Sequence, residues 1–247
     1  MKEYLIVIPY CAKGAQGREL EYAVAGWRRH FKEPFRIVLA GADHPISKSG
    51  DDICCVRSRR VQGREGSWRP HLDYVSCLRK VREAFPDTEG FVMVADDCYA
   101  VHDFDIHDVM VPKFLGPTGE AYNPANGWSV DKHRTMLALR EAGLPTNNYT
   151  THLPQWYEWD KLAALWDKYK MDEVSHNMED LYYNTYAGDR IALNVHRQDV
   201  PYKCGLYAQG YTESILKYAA EERVWITNSP EGWSDTLAKF LREYYGI

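Results

Sequence analysis

A chain of 247 residues that is 45% hydrophobic and 26% charged has the composition of a folded globular protein and excludes a collagenous or disordered one. No stretch approaches the roughly 18 to 20 uninterrupted apolar residues of a membrane span. The N-terminal MKEYLIVIPY has too short an apolar run, and no small-residue cleavage site, to read as a secretory signal. A formal net charge of −5 weighs against a protein that coats nucleic acid, and six cysteines without a CxxC pair suit the reduced thiols of a cytoplasmic protein.

Tyr4–Pro9 (YLIVIP) is a continuous apolar run ended by proline, the pattern of a strand buried on both faces. A polar loop over Tyr10–Gly17 follows. Arg18–Phe31 then places Leu20, Ala23, Val24 and Trp27 at helical spacing. Phe35–Ala40 and the shorter Asp52–Val56 read as the second and third strands. A helix over about Pro70–Phe85 carries one apolar stripe through Leu72, Val75, Leu78 and Val81. Gly90–Ala95 (GFVMVA) is the most apolar strand, and it runs straight into Asp96-Asp97. Beyond it, Lys113–Asn126 reads as a loop, Asp131–Ala142 as a helix stopped by Gly143 and Pro145, and Asn147–Pro154 as extended. Trp159–Tyr169, Met178–Tyr186 and Ser234–Tyr245 read as helices. The strand–helix rhythm of the first 97 residues predicts an α/β, Rossmann-like domain with a mostly parallel central sheet flanked by helices. No linker or repeat breaks the chain, so residues 1–247 read as one domain.

Charge is uneven along the chain. Between Arg57 and Arg82, eight basic residues stand against Glu65 and Asp73 alone. Such an excess is either a solvated face with ordinary ion pairs or a surface that meets a polyanion. Eight Trp and 18 Tyr allow for a ring-lined cleft, although most aromatic side chains simply fill cores.

Two adjacent carboxylates after a buried strand repel one another unless a cation sits between them. In open parallel sheets, ligands bind beyond the carboxyl ends of the strands. A hard divalent ion there takes one or two protein oxygens and completes its shell with phosphate and water. The plain alternative is that Asp96 and Asp97 cap a turn or a helix. Their position after GFVMVA favours the metal–diphosphate reading.

The order of these features resembles the nucleotide-sugar glycosyltransferases of the GT-A fold: an apolar strand with a polar loop, a second strand, a basic helix, then a strand delivering an acidic motif. The likeness covers roughly residues 4–100, with patchier support from 150 to 200. It implies a nucleotide-sugar-binding half over about 1–100 and an acceptor-binding half over about 101–247. It implies Asp97 as ligand to Mn²⁺ or Mg²⁺, with Asp96 touching the ribose, the sugar or a metal-bound water. Ala95 and Cys98 stand where a full DxD motif would place another acid. Pro9, Tyr10 and Arg18 would border the nucleotide of a donor such as a UDP-sugar. Asp43 would read the base or ribose, and Arg69 would meet the diphosphate.

The same resemblance implies a base for the acceptor hydroxyl in Met178-Glu179-Asp180-Leu181, with Asp180 the first choice and Glu179 the second. Acids at a helix start are also favoured by the macrodipole alone. His196 is the candidate late metal ligand, and His152 the candidate acceptor-facing residue. Arg197 and Lys203 are placed to neutralise the leaving diphosphate. The predicted reaction is transfer of a sugar to an acceptor hydroxyl on a glycan, or on a hydroxylated base in DNA docked through Arg57–Arg82. The competing readings are a nucleotidyltransferase and a non-catalytic nucleotide-sugar-binding domain. The nucleotidyltransferase's glycine-rich loop is poorly matched by Ala12-Lys13-Gly14-Ala15-Gln16-Gly17.

Overall fold

A computed structural model describes residues 3–12, 14–41, 52–58, 70–119, 122–188, 191–197 and 199–247. Its main sheet has the order β3-β2-β1-β4-β7, built from Ile53–Arg57, Phe35–Gly41, Tyr4–Tyr10, Gly90–Met93 and Gln155–Glu158. The first four strands are parallel, and β7 runs antiparallel to β4. Strand side chains alternate between faces. Leu5, Val7, Val38, Phe91, Met93 and Tyr157 therefore pack on one side, with α2 (Pro70–Ala84), α5 (Trp159–Lys168) and α6 (Met178–Tyr186). Ile6, Ile8, Ile37, Leu39, Val92 and Trp156 pack on the other side, with α1 (Glu19–His30). Both faces are covered, which is why these strands read as continuous apolar runs.

The chain leaves β1 through α1 toward β2 and β3, then returns through α2 to β4 on the opposite side of β1. The two helices lie on opposite faces, so a crevice opens above the carboxyl ends of β1 and β4. Gly90 is fixed by close approach: a Cβ there would stand 2.2 Å from the carbonyl oxygen of Tyr157 on β7. Trp27 anchors the α1 side, with ring centroids of Phe31 and Phe104 each at 5.0 Å. Trp27→Ala is expected to lower unfolding stability by about 3–5 kcal/mol, read as a lower urea midpoint at unchanged m-value.

A second sheet, β5-β10-β9 (Cys98–Ala100, Trp225–Asn228, Lys203–Leu206), starts one residue after Asp97. It packs with α7 (Glu213–Glu222) and α8 (Asp235–Tyr245) through Tyr99, Ile226, Leu216 and Leu241. Remaining elements are α3 (Ile106–Met110), α4 (Gly127–Glu141) and a small parallel pair, β6 (Lys113–Phe114) with β8 (Leu193–Asn194).

Several boundaries differ from expectation. The segment from Lys113 is not all loop, because β6 pairs with β8 there. The most apolar strand ends at Met93, although Val94 N–H still donates to the Val7 carbonyl at 3.1 Å. Asn147–Pro154 forms no strand. It is a segment crossing above the sheet, and β7 begins only at Gln155. α4 starts four residues early, because Asn126 caps it by accepting from Ser129 N–H at 3.2 Å.

Candidate active site

Four pieces of chain meet at the crevice. β1 contributes Pro9, and the link between the two sheets contributes Asp96 and Asp97. The backbone of that link is tied down on the far side, where Asn228 N–H donates to the Asp97 carbonyl at 3.2 Å. The third piece is the crossing segment Thr150–Leu153. It is held by Tyr149 N–H donating to Asp180 Oδ1 at 2.6 Å, by Asn177 Nδ2 donating to Thr150 Oγ1 at 3.0 Å, and by Lys203 Nζ donating to the Thr151 carbonyl. The fourth is the start of α6, where Asn177 caps the helix by accepting from Asp180 N–H at 2.8 Å. Tyr74 of α2 and Trp128 of α4 wall a cavity of about 160 Å³ between these pieces. A single water needs only about 10–15 Å³ on this measure, so the space takes a ligand group.

His152 has a left-handed backbone, with φ of 60°. The turn brings its Nδ1 to 3.3 Å and 3.4 Å from the two carboxylate oxygens of Asp97. Burial opposes a charge on the imidazole, but the hydrogen bond and charge of Asp97 outweigh it and raise the His152 pKa. Burial, then the neighbouring charges of Asp97 and Glu19, push the Asp96 carboxyl up to about 7. Glu19 is a third acid here. It is buried at the start of α1, where Asn228 Nδ2 donates to its Oε1 at 2.7 Å. Burial also lifts Glu179 to about 7. Its Oε2 has no hydrogen-bond partner among the described residues. The nearest cationic candidate, His71 Nδ1 at 3.7 Å, sits in a ring whose pKa burial drives down to about 3, so it is neutral.

The structure brings Pro9, Asp96, Asp97, His152 and Glu179 to one cavity. It places the other predicted residues elsewhere. Asp180 is buried behind the cavity wall, where its carboxylate accepts from the Tyr149 backbone and lies 3.9 Å from Lys132 Nζ. Arg18 is a surface residue paired with Glu21 one helical turn on, and Arg197 is a surface residue paired with Asp199 at 2.6 Å. Lys203 is buried beneath the crossing segment, and His196 is exposed beyond β8. Tyr10 is buried beside Asp96 in the α1-side core. Asp43 and Arg69 lie outside the described residues. Sequence reasoning missed Tyr74, Trp128, Gln155 and Tyr157.

Asp97 and His152 place a carboxylate and an imidazole side by side; the carboxylate suits a hard divalent ion such as Mn²⁺ or Mg²⁺, whereas the imidazole disfavours Mg²⁺, which takes oxygen ligands. Among the described residues no group of three or more His, Cys, Asp or Glu side chains forms a ready-made metal cage. No helix among them is long and apolar enough to cross a membrane. Within the described part of the basic segment, Arg79 is paired with Asp172 at 2.6 Å and Arg82 with Asp160 at 2.8 Å.

No protein-family model matches the chain, and no curated protein matches it. Among solved structures it is similar to an active-site mutant of LgtC, at 12% identity over 98% of this chain and 95% of that one, with a TM-score of 0.47. It is also similar to the glycosyltransferase GlyE of Streptococcus pneumoniae, at 12% identity over all of this chain and 61% of that one, with a TM-score of 0.46. A 4-diphosphocytidyl-2C-methyl-D-erythritol synthase from Anaerococcus prevotii is similar at 10% identity over 99% and 96%, with a TM-score of 0.43. Likeness of this degree does not separate these chemistries.

Proposed function

We propose that the protein is a glycosyltransferase that moves a sugar from a nucleotide-sugar donor to an acceptor hydroxyl. The observation that carries the reading is the meeting of Asp97, His152 and Glu179 in one cavity, at the crevice between β1 and β4. Asp97 and His152 would hold a divalent cation, which when bound neutralises the donor's diphosphate and the charge growing on it as it leaves. Pro9 borders the nucleotide side. Glu179, ionised above about pH 7, takes the proton of the acceptor hydroxyl. The acceptor oxygen forms a bond to the anomeric carbon while the bond from that carbon to the diphosphate oxygen breaks, and the electron pair leaves with the diphosphate. Attack opposite the leaving group inverts the anomeric centre.

We assign the acceptor to the glycan class rather than to a base in DNA. Arg79 and Arg82 are already paired with carboxylates, and they lie on the later turns of α2, away from Tyr74 at the cavity. The alternative predicts that turnover on duplex DNA falls steeply with salt; such a result would reinstate it.

The reading is tested by a thermal-shift screen of nucleotide sugars with and without Mn²⁺. A rise of the melting temperature that needs both one donor and the metal supports it. Release of nucleoside diphosphate on transfer supports sugar transfer, whereas release of pyrophosphate assigns nucleotidyl transfer instead. Binding without turnover under every acceptor tried would favour a binding domain.

A further inference from the structure

Glu179 presents only part of its carboxylate to the cavity. Its side chain lines the space and keeps 11% of its surface exposed, yet Oε2 is buried and has no hydrogen-bond partner among the described residues. Oε1 is therefore the oxygen left to meet an acceptor. Oε2 faces His71 Nδ1, 3.7 Å away on the first turn of α2. The His71 ring is fully buried, with the rings of Tyr74 and Trp128 packed edge to face at 5.6 Å and 4.5 Å. Burial keeps it neutral, so a single proton goes to one of its two nitrogens, and the neighbours decide which. Asn177 Oδ1 is committed as the cap of α6, accepting from Asp180 N–H at 2.8 Å. Its Nδ2 therefore holds two hydrogens: one goes to Thr150 Oγ1 at 3.0 Å, and the other meets His71 Nε2 at 3.3 Å. Nε2 is then the acceptor, and the proton stands on Nδ1, toward Glu179. Met178 N–H, 3.4 Å from Nδ1, would suit the opposite tautomer. That tautomer sets N–H against N–H at Nε2 and, once Glu179 ionises, a lone pair against a carboxylate at Nδ1. Met178 N–H is one of the orphan donors of a helix start, and it yields.

We infer that His71 is a positioning residue for the base: oriented by Asn177, its Nδ1–H holds Glu179 Oε2 and so aims Oε1 at the acceptor hydroxyl. This rests on the glycosyltransferase reading and adds to it the group that steers the proton transfer. Catalytic contacts of this kind are often long before substrate binds and tighten in the complex, which accounts for the 3.7 Å separation. The acceptor's proton moves to Oε1 while the acceptor oxygen bonds to the anomeric carbon. The proton on Nδ1 stays where it is, so the imidazole changes neither charge nor tautomer. Lys132 of α4, His152 of the crossing segment, Asp180 beside it and Tyr157 of β7 also face Glu179, and Asp96 and Asp97 share the cavity with it. None of them pairs with Oε2. Lys132 and His176, the other titratable neighbours of His71, act against a second proton on the ring. Asn177 thus serves three parts of the site at once: it caps the helix that bears the base, orients His71, and ties down Thr150 in the segment that carries His152.

The test begins with the tautomer, read in the wild-type protein from long-range proton–nitrogen NMR spectra of the His71 ring. The proton is expected on Nδ1, with Nε2 bare, on both sides of the Glu179 titration. A proton on Nε2 overturns the inference. The second readout compares His71→Asn, which keeps an N–H at the place of Nδ1, with His71→Gln, which keeps only the contact at the place of Nε2. His71→Gln is expected to move the pH limb of kcat up by about one unit, the lower end of what a hydrogen bond to a charged group is worth. On that shift kcat near pH 7 falls about fivefold while KM for the acceptor holds. His71→Asn should return the limb to its wild-type place. Carbon NMR of the Glu179 carboxyl should move in the same direction in the substrate-free protein. Equal losses in both variants, with the limb and the Glu179 titration unmoved, would show a merely structural histidine and overturn the inference. If neither variant folds, the wild-type tautomer decides alone. The expected tautomer and Glu179 shift in a protein that transfers no sugar would leave the His71–Glu179 pair standing and overturn the glycosyltransferase reading.

Discussion

Asp97→Asn is expected to reduce sugar transfer by about 10²- to 10³-fold, the scale on which loss of one group stabilising a developing anion is felt. The amide keeps the size of the side chain and its link to Cys98, so the fold should persist. The change removes the charge that holds the His152 pKa above its ordinary value. Burial then dominates, with Lys203 acting in the same direction, and the imidazole should titrate at lower pH than in the wild type. Proton NMR of the His152 ring in the metal-free protein reads this directly. Activity that survives the substitution, or an unmoved His152 titration, would remove Asp97 from the centre of the site. The thermal shift by Mn²⁺ should disappear in the same variant.

Glu179→Gln carries the second large effect, and it acts in opposite directions on activity and stability. Loss of a general base costs about 10²- to 10⁴-fold in rate. The wild-type rate should rise with pH to a limb near 7, where the buried carboxyl gives up its proton, and the variant should lack that limb. Stability moves the other way. A carboxyl whose folded pKa lies above its unfolded value contributes fully below the unfolded pKa, near 4.5. That contribution is lost as pH rises through the folded pKa of about 7. Each pKa unit is worth about 1.4 kcal/mol, so the ionised side chain costs roughly 3 kcal/mol at pH 8. Glutamine carries no such charge, and the variant should melt at a higher temperature at pH 8 and with little difference at pH 4. A variant less stable than wild type at pH 8 would show that the carboxylate is satisfied in the fold and is not held in readiness for a proton.

The first half of the architecture was legible because its strands are buried on both faces and its helices repeat at one period. YLIVIP, FRIVLA and GFVMVA admit few other readings, and Val75, Leu78 and Val81 mark the buried side of α2. In the second half the helices α4, α5, α6 and α8 were legible, but the strands were not. β5, β7, β9 and β10 are CYA, QWYE, KCGL and WITN, three or four residues each, too short for any period to register. α7 keeps only Leu216 and Ala219 buried along its ten residues, which blurs its stripe.

The site divides in the same way. The position of Asp97 at the crevice was legible because it follows from the strand before it. His152 read as part of an extended segment facing the acceptor, since nothing in YTTHLP announces the left-handed turn that sets its ring on Asp97. Asp180 and Glu179 are adjacent on one helical turn, and only the three-dimensional packing decides which faces the cavity. Arg18 and Arg197 carried a visible warning: Glu21 and Asp199 stand three and two residues away, close enough to claim them. Tyr74, Trp128 and Gln155 come from α2, α4 and β7, and no local pattern joins elements so far apart in the chain.

The joint between the two sheets has a consequence for how such a site can change. Between Met93, the end of one sheet, and Cys98, the start of the other, only Val94, Ala95, Asp96 and Asp97 intervene. Val94 is bonded to β1, and the Asp97 carbonyl is bonded to Asn228. The joint works as a spacer cut to length. One added residue would invert which side chains of β5 face inward, throwing Tyr99 out of its core while moving the acid pair off the crevice. Drift in residue type at this joint alters chemistry by degrees, whereas drift in residue number dismantles it at once.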